Sequence, residues 1–113
     1  MSRYTTKNIG DKAEQEAVKF LEKNGHNIIE QNFYAKKFGE IDIITTKDEI
    51  YHFIEVKSGE NFEAIYNITK NKLSKLYRSI DYYLTTKKIQ PAYCVDAIII
   101  SKNSLEFVEN ISL

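Results

Sequence analysis

The sequence predicts an α/β fold with a mixed central β-sheet flanked by helices. Two segments carry apolar residues at helical spacing, and five short runs are rich in β-branched and aromatic residues. Their order reads α-β-β-β-α-β-β. A helix set between a three-strand meander and a further strand calls for a sheet with helices packed on it.

The first helix is expected from Lys12 to Asn24. Ala13, Ala17, Phe20 and Leu21 recur at helical spacing with Val18 alongside, and Gly25 is a stop signal. Glu14 lies at the margin of this stripe, on one face with Ala17, Val18 and Leu21. A first strand follows over His26–Tyr34, then a basic turn, Ala35-Lys36-Lys37-Phe38-Gly39. Glu40–Thr46 and Ile50–Lys57 read as a hairpin around Lys47-Asp48-Glu49. After a polar loop from Ser58 to Ile65, the second helix runs from Thr69, an N-cap candidate, to Thr86. Leu73, Leu76, Tyr77, Ile80, Tyr83 and Leu84 are its apolar stripe. Pro91 breaks the chain. Tyr93–Ile100 is a fourth strand, whose run Ala97 to Ile100 requires burial on both faces. Leu105–Ile111 is a last strand after a turn at Asn103-Ser104.

A length of 113 residues fits one domain, residues 1–113. Hydrophobic residues at 42% and charged residues at 28% describe a globular chain rather than a disordered one. Sixteen Lys and Arg balance sixteen Asp and Glu, so any nucleic-acid contact must come from the placement of charge, not from its total. One cysteine, Cys94, excludes an internal disulfide and a cysteine-only zinc site, and its apolar context suggests a buried, inert thiol. No run is long enough to span a membrane, and the polar N-terminus has no signal-peptide core, so a cytoplasmic protein is expected.

The hairpin holds the residues with chemistry. A turn centred on Asp48-Glu49 pairs residues so that Asp42 stands opposite Glu55 and Glu40 opposite Lys57. Alternation then places these four on one face with Ile44 and Phe53, and Ile41, Ile43, Ile54 and Val56 on the other. Facing carboxylates repel, and a hard divalent cation such as Mg²⁺ would compensate them. Lys57 could then orient a water or stabilise charge on a phosphate. A solvated ion network, with Lys57 paired to Glu40 or Glu55, is the alternative from spacing alone. His52 alternates to the apolar face and reads as a structural histidine; His26, after the helix stop, is expected to be exposed.

Asp42, followed after a gap by Glu55-Val56-Lys57, resembles the D…(D/E)-x-K signature of the PD-(D/E)xK nuclease superfamily. The chain is most similar to the small bacterial YraN-like family within it, which is itself similar to Holliday-junction resolvases. The pieces GDKAEQEA, QNF, GEIDII, FIEVK and VDAI match in order and span nearly the whole chain. The resemblance implies a restriction endonuclease-like core, αβββαβ plus a final strand. It implies Asp42 and Glu55 as ligands of Mg²⁺ or Mn²⁺, Glu14 completing the acidic cluster, and Lys57 as the catalytic lysine. The implied reaction is hydrolysis of a phosphodiester in DNA, branched or junction DNA included, for which a homodimer would suit a two-fold substrate. Lys36 and Lys37, with Lys70, Lys72 and Lys75 at the start of the second helix, are the basic residues placed to meet a backbone. A solvated lysine face remains the other reading of them. The chain departs from the family pattern at Gln31 and Gly59, where arginines often stand; this removes two potential phosphate contacts. A non-catalytic nucleic-acid-binding or scaffold protein of the same fold is the alternative function.

Overall fold

The computed structural model describes residues 2–59, 70–102 and 104–111, with side chains from residue 12 onward. The chain forms α1 (Ser2–Lys23), β1 (Asn27–Tyr34), a 3-10 turn (Lys36–Phe38), β2 (Glu40–Lys47), β3 (Ile50–Ser58), α2 (Lys70–Lys87), β4 (Tyr93–Ser101) and β5 (Ser104–Val108). The strands form one sheet in the order β1-β2-β3-β4-β5. Only β3 and β4 are parallel, with α2 in the connection between them; the other pairs are antiparallel. The sheet is therefore mixed, and the order of elements is that of a restriction endonuclease-like core with one strand added.

The two apolar stripes cover opposite faces. On one, Ala13, Ala17 and Leu21 of α1 pack on Ile43, Ile54, Ile98 and Ile100. On the other, Leu76, Ile80 and Tyr83 of α2 pack on Ile41, Ile44, Phe53 and Val95. Ala97, Ile98, Ile99 and Ile100 are all buried, as a central strand between two helices requires. Each fully buried Leu or Ile here contributes about 1.5–3 kcal/mol relative to exposure.

The hairpin has the expected register. Ile43 pairs with Ile54, Ile44 with Phe53 and Lys47 with Ile50. Asp48 and Glu49 both have positive φ, 52° and 67°, the backbone of a two-residue turn whose twist suits a hairpin.

Five details differ from the sequence expectation. Helix α1 begins at Ser2 rather than near Lys12. It ends through Gly25 at φ 89°, where the His26 N–H donates to the Leu21 carbonyl at 2.9 Å. That return folds His26 inward, so this residue is buried, not exposed. Its Nδ1 lies 2.7 Å from Thr45 Oγ1. Ile41 packs on the α2 side while Ile43 packs on the α1 side. Residues two apart in a regular strand share a face, so β2 changes phase at Asp42. Strand β5 ends at Val108; beyond Asn110, at φ 56°, the Ile111 N–H donates to the Val95 carbonyl and its side chain joins the α2-side core. Cys94 is half-buried rather than buried. The expected cap Thr69 and most of the expected polar loop lie outside the described residues.

Candidate active site

The ladder between β2 and β3 stops at Ile43 and Ile54, one step short of Asp42 and Glu55. The Asp42 side chain takes over there: its Oδ2 accepts the Val56 N–H at 2.8 Å. A backbone donor freed where two strands part is thus satisfied by a carboxylate. The acid is held rigidly, but not directly facing Glu55 across a ladder. The shared face expected for Glu40, Asp42, Glu55 and Lys57 is broken at Asp42, because the phase of the strand changes at that residue.

Glu55 and Lys57 are two apart on β3 and share the α2 side. Lys57 Nζ lies 3.1 Å from Glu55 Oε1, with both side chains partly buried. Burial works against the charge of Lys57, but the adjacent Glu55 carboxylate outweighs it, and the lysine titrates above its usual range. Asp42 is pushed up to about 6: burial is the main cause, and the charges of Glu55 and Glu14 add to it against the Val56 N–H and Lys57. Glu14, half-buried on α1, therefore acts on Asp42 electrostatically from across the α1 face.

Glu55 and Lys57 open onto a cleft of about 260 Å³ lined also by Phe38, Gly39, Glu40, Lys72, Lys75, Leu76 and Ser79. Ser79 builds its wall. Buried in the α2 stripe, its hydroxyl donates between the Phe38 carbonyl at 3.1 Å and the Lys75 carbonyl at 3.2 Å, and so ties the 3-10 turn to α2. Gly39, at φ 119°, lets the chain turn from there into β2, a conformation an L side chain rarely adopts. The sequence reading missed Ser79; a hydroxyl three residues after Leu76, inside an apolar stripe, was the available signal. Lys72 and Lys75 face the cleft, whereas Lys70 is exposed at the start of α2. Lys36 and Lys37 are exposed on the 3-10 turn, with Lys37 Nζ 5.5 Å from the Phe38 ring centroid. A wider cleft of about 500 Å³ lies along α1, lined by Lys12, Ala13, Glu16, Ser58 and Lys102, and contains neither Glu55 nor Lys57.

The sequence profile described as "Uncharacterised protein family UPF0102" matches residues 13–100, a span that includes Glu14, Asp42, Glu55 and Lys57. The chain belongs to the UPF0102 family. A UPF0102 protein of Wolinella succinogenes is 56% identical over 104 residues, covering 92% of this chain and 95% of its own. UPF0102 proteins of Helicobacter hepaticus, at 55% over 92% of this chain and 94% of theirs, and of a Sulfurovum species, at 50% over 98% and 99%, are similar throughout. The YraN-like resemblance and this family are the same group.

The acids around Asp42 suit a hard cation: they offer carboxylate oxygens only, and burial together with neighbouring carboxylates raises the cost of ionising Asp42, a cost that a divalent ion would offset. They are not drawn into a closed ligand set. Among the described residues, the one group of three His, Cys, Asp or Glu side chains with donor atoms all within 4.8 Å is elsewhere, at His52, Cys94 and Asp96. His52 does face the apolar α1 side, as expected of a structural histidine, with Nδ1 2.6 Å from Asp96 Oδ2. Burial, reinforced by the Asp96 charge, pushes the Cys94 thiol up to about 12, which makes it a poor nucleophile. No helix among the described residues is long and apolar enough to cross a membrane.

Proposed function

We propose that the protein is a metal-dependent endonuclease that hydrolyses phosphodiester bonds in DNA, branched or junction DNA being the preferred class. The observation that carries this reading is Asp42, an acid fixed where two strands part and raised by burial and by two further carboxylates, beside a Glu-x-Lys pair that lines a lysine-walled cleft. Asp42 and Glu55 would hold Mg²⁺ or Mn²⁺, with Glu14 adding negative charge from α1. The bound ion supplies Lewis acidity toward a phosphoryl oxygen and lowers the pKa of a water. Lys57 orients the attacking water or stabilises the charge that builds on the phosphate. Lys72 and Lys75, with Lys36, Lys37 and Lys70 at the rim, hold the DNA backbone. A two-fold dimer would present two such sites to a two-fold junction.

Two observations favour a second reading, a nucleic-acid-binding or scaffold protein without catalysis. Glu55 Oε1 is already held by Lys57, and among the described residues no group of three donors gathers at these carboxylates.

A cleavage panel of linear, single-stranded, flapped and four-way-junction DNA, with Mg²⁺ or Mn²⁺, separates the two. Metal-dependent cutting that is absent in Asp42→Ala and Lys57→Ala is the expected result. DNA binding that is unchanged in Asp42→Ala, with no cutting of any substrate by the wild type, would replace the enzyme with the binding protein.

A further inference from the structure

We propose that His52, Cys94 and Asp96 form a second metal site, separate from the Asp42 cleft, for a thiophilic divalent ion of the zinc class. Strand pairing makes the site. His52 on β3 lies beside Cys94 on the parallel strand β4, and Asp96 is two residues further along β4. All three therefore project on the α1 side of the sheet, whereas Glu55, three residues after His52, projects on the α2 side.

The donor atoms converge. His52 Nδ1 is 2.6 Å from Asp96 Oδ2 and 3.0 Å from Cys94 Sγ, and Sγ is 3.8 Å from the same carboxylate oxygen. Tetrahedral zinc, with bonds of about 2.0–2.3 Å, holds such donors roughly 3.4–3.6 Å apart. The sulfur–oxygen separation is already close to that value. The nitrogen must withdraw from the other two by less than about 1 Å, a small rotation for a side chain at the edge of the core. One nitrogen, one sulfur and one carboxylate oxygen make a donor set that suits zinc far better than magnesium. Three protein ligands leave the fourth position for a water or an outside group.

The surroundings support ligation. Asp96 is fully buried, and its other oxygen accepts the Asn110 N–H at 2.8 Å, which fixes the orientation of the carboxylate. Among the ion-pair contacts of the described residues, that buried acid meets His52 alone. A divalent ion bound between the two side chains would compensate the buried carboxylate directly. The Asp96 carboxylate and the Cys94 sulfur would then be co-ligands, because a cation held between them offsets their mutual repulsion. The His26 ring stands edge-on to His52 at 4.7 Å, and its Nδ1 is engaged with Thr45, so it braces the histidine. His52 and Cys94 are only partly buried, which gives an ion a way in.

Cobalt(II) titration of untagged, chelator-treated full-length protein tests the proposal. A single equivalent should bind with the intense thiolate-to-cobalt absorption of a cysteine ligand and be displaced by Zn²⁺. The signal should persist in Asp42→Ala and vanish in Cys94→Ser and His52→Gln. Alkylation of Cys94 in the wild-type protein provides a readout that no variant's folding can disturb. Zn²⁺ at a hundred times its Kd should slow the reaction about a hundredfold, and Asp42→Ala should be protected equally. Absence of the thiolate band, its survival in Cys94→Ser, or alkylation indifferent to Zn²⁺ would overturn the site.

Discussion

Asp42 combines three constraints in one side chain: a buried position, a backbone donor to satisfy and two neighbouring carboxylates. Its folded-state value near 6 lies above the ordinary 3.8. For an acid raised in this way, the favourable contribution to folding is fully present below pH 3.8 and is lost as pH rises toward 6. The ionised form thus costs on the order of 3 kcal/mol at pH 8 without metal. Asp42→Asn keeps an acceptor for the Val56 N–H and removes that charge, so chemical denaturation in chelator at pH 8 should show a more stable, inactive protein. Wild-type cleavage should fall as pH drops through about 6, and more Mn²⁺ should move that limb lower, because metal competes with the proton on the same oxygen. A profile unaffected by metal concentration would separate Asp42 from metal binding. Lys57→Ala should abolish cleavage yet retain Mn²⁺ binding by calorimetry, since it removes an ammonium and frees Glu55.

Helix α2 has two roles, and they meet along one side, where Leu76 and Ser79 belong both to the buried stripe and to the cleft wall. Its apolar stripe covers the sheet, while Lys72 and Lys75 wall the cleft and Ser79 ties down the basic 3-10 turn. Lys72→Ala and Lys75→Ala should each weaken DNA binding across all sequences and lower the salt slope by about 1 per lysine, as expected of phosphate contacts. Fluorescence anisotropy at several salt concentrations measures this. Lys88, near the end of the helix and away from the cleft, serves as the control. Ser79→Ala leaves the Phe38 carbonyl without its donor and should cost about 1–2 kcal/mol. It should also raise KM for DNA, because the 3-10 turn that carries Lys36 and Lys37 loses its anchor.

The described residues form a sheet clamped by two helices, and its centre is the parallel pair β3 and β4. Both groups of polar residues lie along β3: Glu55 and Lys57 toward its C-terminal end on the α2 side, His52 nearer its start on the α1 side. Ile98, on β4, is fully buried against α1. Ile98→Ala should lower stability by about 2–5 kcal/mol, read from urea unfolding, through loss of core volume. Saturating Mg²⁺ should raise stability by about 2.7 kcal/mol at a hundred times its Kd. Asp42→Ala should lose this gain, and Cys94→Ser should keep it.

Much of this was legible in the sequence because the signals were periodic and local. The two helical stripes, the hairpin with its register and the buried run on β4 each follow from spacing along a few residues. The positions of Glu55 and Lys57 follow from the same alternation. Other features depended on distant partners. The change of phase at Asp42 arises where β2 leaves β3, and its carboxylate is raised mainly by burial, with Glu55 on β3 and Glu14 on α1 adding to it. His26 is buried because the chain turns back beneath the helix that precedes it. His52 meets Asp96 only because α2 returns the chain to run parallel with β3; no spacing in either strand reveals that pairing. Sequence by itself determined which residues face inward and which strands pair locally, because alternation and helical period are properties of the backbone. Tertiary structure decided which charges share a site, because electrostatic interactions depend on distance in space and not on separation along the chain.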